Sequence, residues 1–221
     1  MELKWSYTLL IMVLLGCGSS LDWQAAGNFT SDNLTVLYTM INSVDPSELT
    51  SSLSMNATTI SDELNTLWDP AWNVVIVYYA DGNNYDSVLY GYGFREHWFW
   101  FNGWKRSDGT YLTFIIWKDY NCVGWVTYAP ISPASSYNAV IFAELQSVTS
   151  GMLPITDIWS VAKNVQSVIP TADPTILQDP LGYTIIASQY AQSTFFARMC
   201  VSQYAVVGNI GFNSITSMPD G

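Results

Sequence analysis

WNVVIVYY, residues Trp72–Tyr79, marks the point where the hydrophobic period of this chain changes. Upstream, apolar residues recur every three or four positions, as on one face of a helix. From Trp72 on, the apolar and aromatic runs follow a two-residue alternation or are continuous and rich in Val, Ile, Tyr and Phe, which favours strands. Working downstream, Asp81-Gly82 predicts a turn and DSVLYGYG, residues 86–93, a returning strand. Residues 94–105 predict a third strand, RSDG a turn at Asp108-Gly109, and TYLTFIIWK a fourth strand. GWVTYAP adds a short fifth, ended by Pro130.

Working upstream, residues 21–69 read as helix and loop. Leu34, Leu37, Met40, Ile41 and Val44 share a helical face, with Asp32 or Asn33 as the cap. Asp45-Pro46 ends that helix and can open another. A third, short helix is expected over residues 59–68, with Ser61 as its cap, Ile60, Leu64 and Leu67 on one face, and Pro70 as its stop. Helices followed by an antiparallel meander make an α+β protein.

SPASSYNA, residues 132–139, is the expected linker, which divides the chain into residues 21–131 and a second α+β half over 140–221. In that half Ile158, Val161, Ala162, Val165, Val168 and Ile169 give an amphipathic helix. GYTIIASQY, STFFARMCVS and YAVVGNIGF give three strands. A shift of 110 residues aligns Leu67, Asp69, Pro70 and Ile76 with Leu177, Asp179, Pro180 and Ile186. Either a degenerate repeat or chance accounts for so few identities.

Residues 1–20 read as a signal peptide. Lys4 precedes an apolar run from Tyr7 to Leu15, then small residues, with cleavage expected between Gly18 and Leu21. A competing reading takes LLGC, ending in Cys17, as a lipidation motif. Three acceptor sequons, at Asn28, Asn33 and Asn56, fall within thirty residues and predict a secreted glycoprotein. Beyond the signal, Cys122 and Cys200 remain, and an oxidising compartment favours their pairing.

Of the 221 residues, 49% are hydrophobic and 11% charged, against about 25% charged in an average soluble domain. That composition excludes disorder. With 18 acids to 7 bases and a net charge of −11, nucleic acid is not an expected partner. No apolar run is long enough to span a membrane as a helix.

The chemistry-bearing residues are sparse. His97 is the only histidine, and no nucleophile elbow accompanies it. One histidine and two distant cysteines do not make a transition-metal site. Asp81, Asn83 and Asp86 could offer oxygens to calcium, but these residue types also suit a hairpin loop. Glu96 and scattered aspartates lack the spacing of a glycosidase pair. No catalytic residue, metal or cofactor is therefore assigned.

EHWFWFNGW, Glu96–Trp104, sends Trp98 and Trp100 to one strand face and His97, Phe99 and Phe101 to the other. A sheet apolar on both faces needs a second layer, which the C-terminal half, a second copy or a ligand could supply. Trp98 and Trp100 are thus candidate binding residues for protein or carbohydrate.

WDPAWNVVIV, YDSVLYG and EHWFWFNG together resemble the dynein light chain family over residues 60–117. The resemblance implies helices on an antiparallel sheet that dimerises through edge pairing. It also implies peptide recognition by strand addition along Tyr85–Tyr90, including Val88. The longer hairpin after Lys105, the second half and the signal segment all depart from that family. The expected function is protein–protein association in an extracellular structural or adhesive role. A carbohydrate- or peptide-binding module and a secreted hydrolase are the alternatives.

Overall fold

A computed structural model describes residues 23–27, 29–44, 52–79, 87–92, 97–106, 108–119, 122, 125–128, 134–135, 143, 146–147, 166–168, 183–189, 193–209 and 212–219. The expected signal peptide, the calcium-like turn at Asp81–Asp86 and the helix start expected at Pro46 lie outside these residues. So does the expected helix over 158–169, apart from residues 166–168.

The protein is α+β, with helices and antiparallel strands as expected. Helix α1 spans Ser31–Ser43 and α2 spans Leu53–Leu67. The strands are β1 (Trp23–Gly27), β2 (Trp72–Tyr79), β3 (Ser87–Tyr92), β4 (Trp98–Lys105), β5 (Tyr111–Lys118), β6 (Trp125–Tyr128), β7 (Ala134–Ser135), β8 (Tyr183–Gln189), β9 (Ser193–Asn209) and β10 (Phe212–Pro219).

Each helix corrects a detail of the sequence reading. The cap of α1 is Thr30, whose hydroxyl oxygen accepts from the Asn33 N–H at 3.2 Å, so Asp32 and Asn33 already lie in the first turn. Leu37, Met40 and Ile41 point to the core. α2 begins eight residues before Ser61, because Leu53 and Ala57 extend the buried stripe of Ile60 and Leu64. Ser61 is buried in mid-helix and donates to the Trp72 carbonyl at 2.7 Å instead of capping. Leu67, expected on the same face, ends the helix with its side chain 59% exposed.

The strand order is β1-β4-β5-β2-β9-β10-β8-β3, with β6 and β7 also pairing to β9. Only part of it is a meander. β4 and β5 pair across their turn, as do β9 and β10. The hairpin expected between WNVVIVYY and DSVLYGYG does not form: β2 lies between β5 and β9, and β3 pairs with β8. A turn sequence permits a hairpin, but β2 is apolar on both faces and takes the fully enclosed central place.

β9 is one strand of seventeen residues where the sequence suggested two. Its first part pairs with β2 and β6, and its second with β10 and β7. β1 and β10 were not anticipated as strands. The sheet runs without interruption through strands from either side of residues 132–139, and β7 lies inside that expected linker.

The core between helices and sheet joins Leu37, Ile41, Leu53, Ile60 and Leu64 to Val74, Ile76, Phe99, Phe101, Phe114, Ile116 and Phe196. These strand residues alternate with a second set on the opposite face: Val75, Val77, Tyr79, Ile115, Trp117 and Phe195, all fully buried. The chain alone accounts for that burial, so the second layer needs neither a second copy nor a ligand at these positions.

Candidate functional site

The stretch EHWFWFNGW becomes β4, between β1 and β5. Phe99 and Phe101 face the helices, and Tyr38 of α1 meets both edge-on at 5.8 and 6.0 Å. Burial among these rings pushes the Tyr38 hydroxyl up to about 12. On the other face Trp100 is 6% exposed. Trp98, its neighbour on that face, is half-buried and lies across Gly27 of β1, where a Cβ would run into the indole. Gly27 is therefore required by close approach. Trp98 and Trp100 are thus packing residues in the isolated chain.

His97 precedes β4. Its carbonyl accepts from the Lys118 N–H at 3.0 Å, and its ring packs edge-on against Phe29 at 5.6 Å and Trp72 at 6.1 Å. Trp68 completes the group, 5.1 Å from Trp72 and 6.0 Å from Phe29. Phe29, Trp68 and His97 each keep partial exposure, while Trp72 is buried. This aromatic cluster closes the seam between the end of α2, the start of β2 and the segment leading into α1. It forms because Pro70 stops the helix and the chain reverses through Ala71, at φ 81°. Among the described residues the His97 ring meets other rings.

Beneath the cluster lies a buried polar knot. Asn65 Oδ1 accepts the Trp72 N–H at 2.9 Å, and Ser61 takes its carbonyl. β9 pairs with β2 only from Val74 onward, so two α2 side chains serve Trp72 where the β9 ladder does not reach. Asn73 is fully buried. Its amide donates to Asp119 Oδ2 at 2.9 Å and its Oδ1 accepts the Cys200 N–H at 2.6 Å. Trp117 Nε1 also donates to Asp119 Oδ2, at 3.1 Å. Cys200 is joined to Cys122 by a disulfide with Cα atoms 5.3 Å apart, closing a separation of 78 residues. The knot is structural: it fixes the disulfide to β2 and β5.

Two ion pairs are seen among the described residues. Arg106, buried beside Tyr78, pairs with Asp108 at 3.4 Å. Slight burial pushes the Asp108 carboxyl up, but hydrogen bonds from Thr110 and the charge of Arg106 outweigh it and hold the carboxyl below its usual range. Lys118 pairs with Asp69 at 3.1 Å. Among the described residues no three His, Cys, Asp or Glu side chains gather to hold a metal ion.

The remaining candidates lie apart from one another. β3, which contains Val88 and Tyr90, is the last strand in the order and pairs with β8; Tyr85 lies outside the described residues. Of the sequon asparagines, Asn33 and Asn56 are half-exposed on the first turns of α1 and α2, and Asn28 lies outside the described residues. Asn33 also accepts the Thr30 hydroxyl through Oδ1, so one sequon's threonine caps the next sequon's asparagine. Sequence reasoning missed the aromatic seam because Phe29, Trp68 and His97 are far apart in the chain and meet only after β1 docks.

No helix among the described residues is long and apolar enough to cross a membrane. Comparison with known proteins finds no matching family model, no matching curated protein and no matching solved structure.

Proposed function

We propose that the protein is a secreted, disulfide-braced glycoprotein that works by protein–protein association, in an extracellular structural or adhesive role, and not by catalysis. The observation that carries this reading is the place of β3 at the end of the strand order, with β8 as its one strand partner among the described residues. An end strand carries a row of backbone N–H and C=O groups on which another chain can add a strand. The resemblance to the dynein light chain family places its peptide-pairing strand over Tyr85–Tyr90, which overlaps β3. The three sequons and the disulfide support an extracellular setting.

The test uses native protein from a glycosylating secretory host. Its mass is measured by light scattering and by intact mass spectrometry, before and after deglycosylation. Val88→Pro and Leu89→Pro remove N–H groups that point to opposite edges of β3. One should disrupt pairing with β8 and lower stability. The other should leave melting unchanged and weaken association. A species monomeric at every concentration, with neither variant changing its interactions, goes against the proposal.

A second reading, a carbohydrate- or peptide-binding module, draws on the half-exposed Phe29, Trp68 and His97. Aromatic faces suit sugar rings. Trp68→Ala losing binding to a glycan array while keeping the association state would favour it.

A further inference from the structure

Three described cations show how unusual Arg198 is in this acidic chain. Arg106 is paired with Asp108 and Lys118 with Asp69, whereas Arg198 makes no ion pair with any carboxylate among the described residues. Of the five N–H donors of its guanidinium, one is bonded among the described residues: Nη1 donates to the Thr127 hydroxyl at 3.0 Å. Nε is buried and meets no acceptor. The guanidinium lies 4.6 Å from the centroid of the Trp125 ring.

The backbone explains why this group is held in place. Arg198 sits in β9 opposite Val74 of β2 on one side and Thr127 of β6 on the other. Its main chain is fixed from both edges, and Trp125 and Thr127 belong to the same short strand. Arg198 is half-exposed and Thr127 exposed, so charge and hydroxyl meet at the surface, with the guanidinium lying over the face of the half-exposed Trp125.

We propose that Arg198, Thr127 and Trp125 form a binding site for a small ligand with a single carboxylate, of the uronic or sialic acid class. The guanidinium supplies charge-assisted donors for the carboxylate. Thr127 offers a hydroxyl to ring hydroxyls, and the Trp125 ring, one face of which carries the guanidinium, orients that cation and adds an apolar flank for ring C–H groups. A net charge of −11 repels polyanions, so one isolated carboxylate suits the site better than a sulfated or phosphorylated polymer. A peptide C-terminus is captured by clustered backbone N–H groups. Here the backbone of Arg198 is committed to two strand ladders. This site is separate from the β3 edge and stands or falls independently of the association reading.

The test uses the full, disulfide-intact secreted protein with isotope-labelled tryptophan. The Trp125 indole resonance is assigned with Trp125→Phe. Sodium glucuronate, glucose and N-acetylglycine are titrated separately at fixed ionic strength. Glucuronate should shift the Trp125 resonance to saturation and glucose should not; N-acetylglycine should bind more weakly than glucuronate. Arg198→Gln should weaken glucuronate at least about tenfold, as loss of a charge-assisted hydrogen bond does. Thr127→Val should weaken it less. No response to glucuronate, an equal response to glucose, or undiminished binding by folded Arg198→Gln overturns the site. N-acetylglycine binding as tightly as glucuronate overturns the acidic-sugar assignment. Should Arg198→Gln fail to fold, the comparison of glucuronate with glucose on the unaltered protein decides.

Discussion

Tyr38 shows how much one buried group responds to its surroundings. Its hydroxyl stays protonated up to about 12 because burial beside Phe99 and Phe101 disfavours the phenolate, against 10.0 when unburied. A raised pKa means the fold binds the proton more tightly than the unfolded chain does. Its contribution is therefore complete below pH 10 and lost as pH rises towards 12. Tyr38→Phe should remove that step from the alkaline limb of a pH–stability curve, measured by denaturant unfolding, and leave neutral pH little changed. Asn73 makes the opposite case, a polar side chain whose loss is costly at any pH. Asn73→Leu removes the buried hydrogen bonds that Asn73 makes to Asp119 and to the Cys200 N–H, at a cost of about 2–4 kcal/mol. Thermal melting reads this directly, and a melting temperature unchanged from the parent protein would contradict the structural role of the knot.

At the level of elements, β4 owes its position to rings on both faces. Trp100→Ala removes a large, almost fully buried side chain and should cost about 3–5 kcal/mol. His97→Gln, at the half-exposed seam, should cost less than about 1 kcal/mol. Equal losses from the two would mean that the seam is a second centre of stability. Gly27→Ala tests the docking of β1, since the added methyl displaces the Trp98 ring; overpacking of this kind costs about 1–3 kcal/mol. The expected readout is lower protection from hydrogen exchange in β1, with β2 and β5 unaffected. β1 was invisible in the sequence because WQAAG carries no strong alternation and pairs only with the edge of β4. The period of β2, β4 and β5 was plain, because both their faces are apolar and their propensities agree with burial.

The whole molecule is tied together by β9 and the disulfide it carries. The bond closes a separation of 78 residues, worth about 4.5 kcal/mol in the chain-entropy treatment. Cys122→Ser with Cys200→Ser should lower unfolding stability by roughly that amount. Equal stability of parent and variant under denaturant would show that the bond adds nothing beyond the β2–β9 ladder. β6, before residues 132–139, and β9, after them, are adjacent strands, and the bond ties the segment before β6 to β9.

Local periodicity, cysteine count and charge balance were enough, without coordinates, to give the α+β class, most of the central strands and the Cys122–Cys200 bond. Each depends on a pattern carried by neighbouring residues or by a chemistry with few possible partners. The pairing of β3 with β8 rather than β2 was settled only in three dimensions, as were the union of two expected strands into β9, the gathering of Phe29, Trp68, Trp72 and His97, and the isolation of Arg198 from every described carboxylate. These are non-local choices. A strand's sequence encodes how much apolar surface it must bury, but which partner buries it depends on competition among all the strands at once.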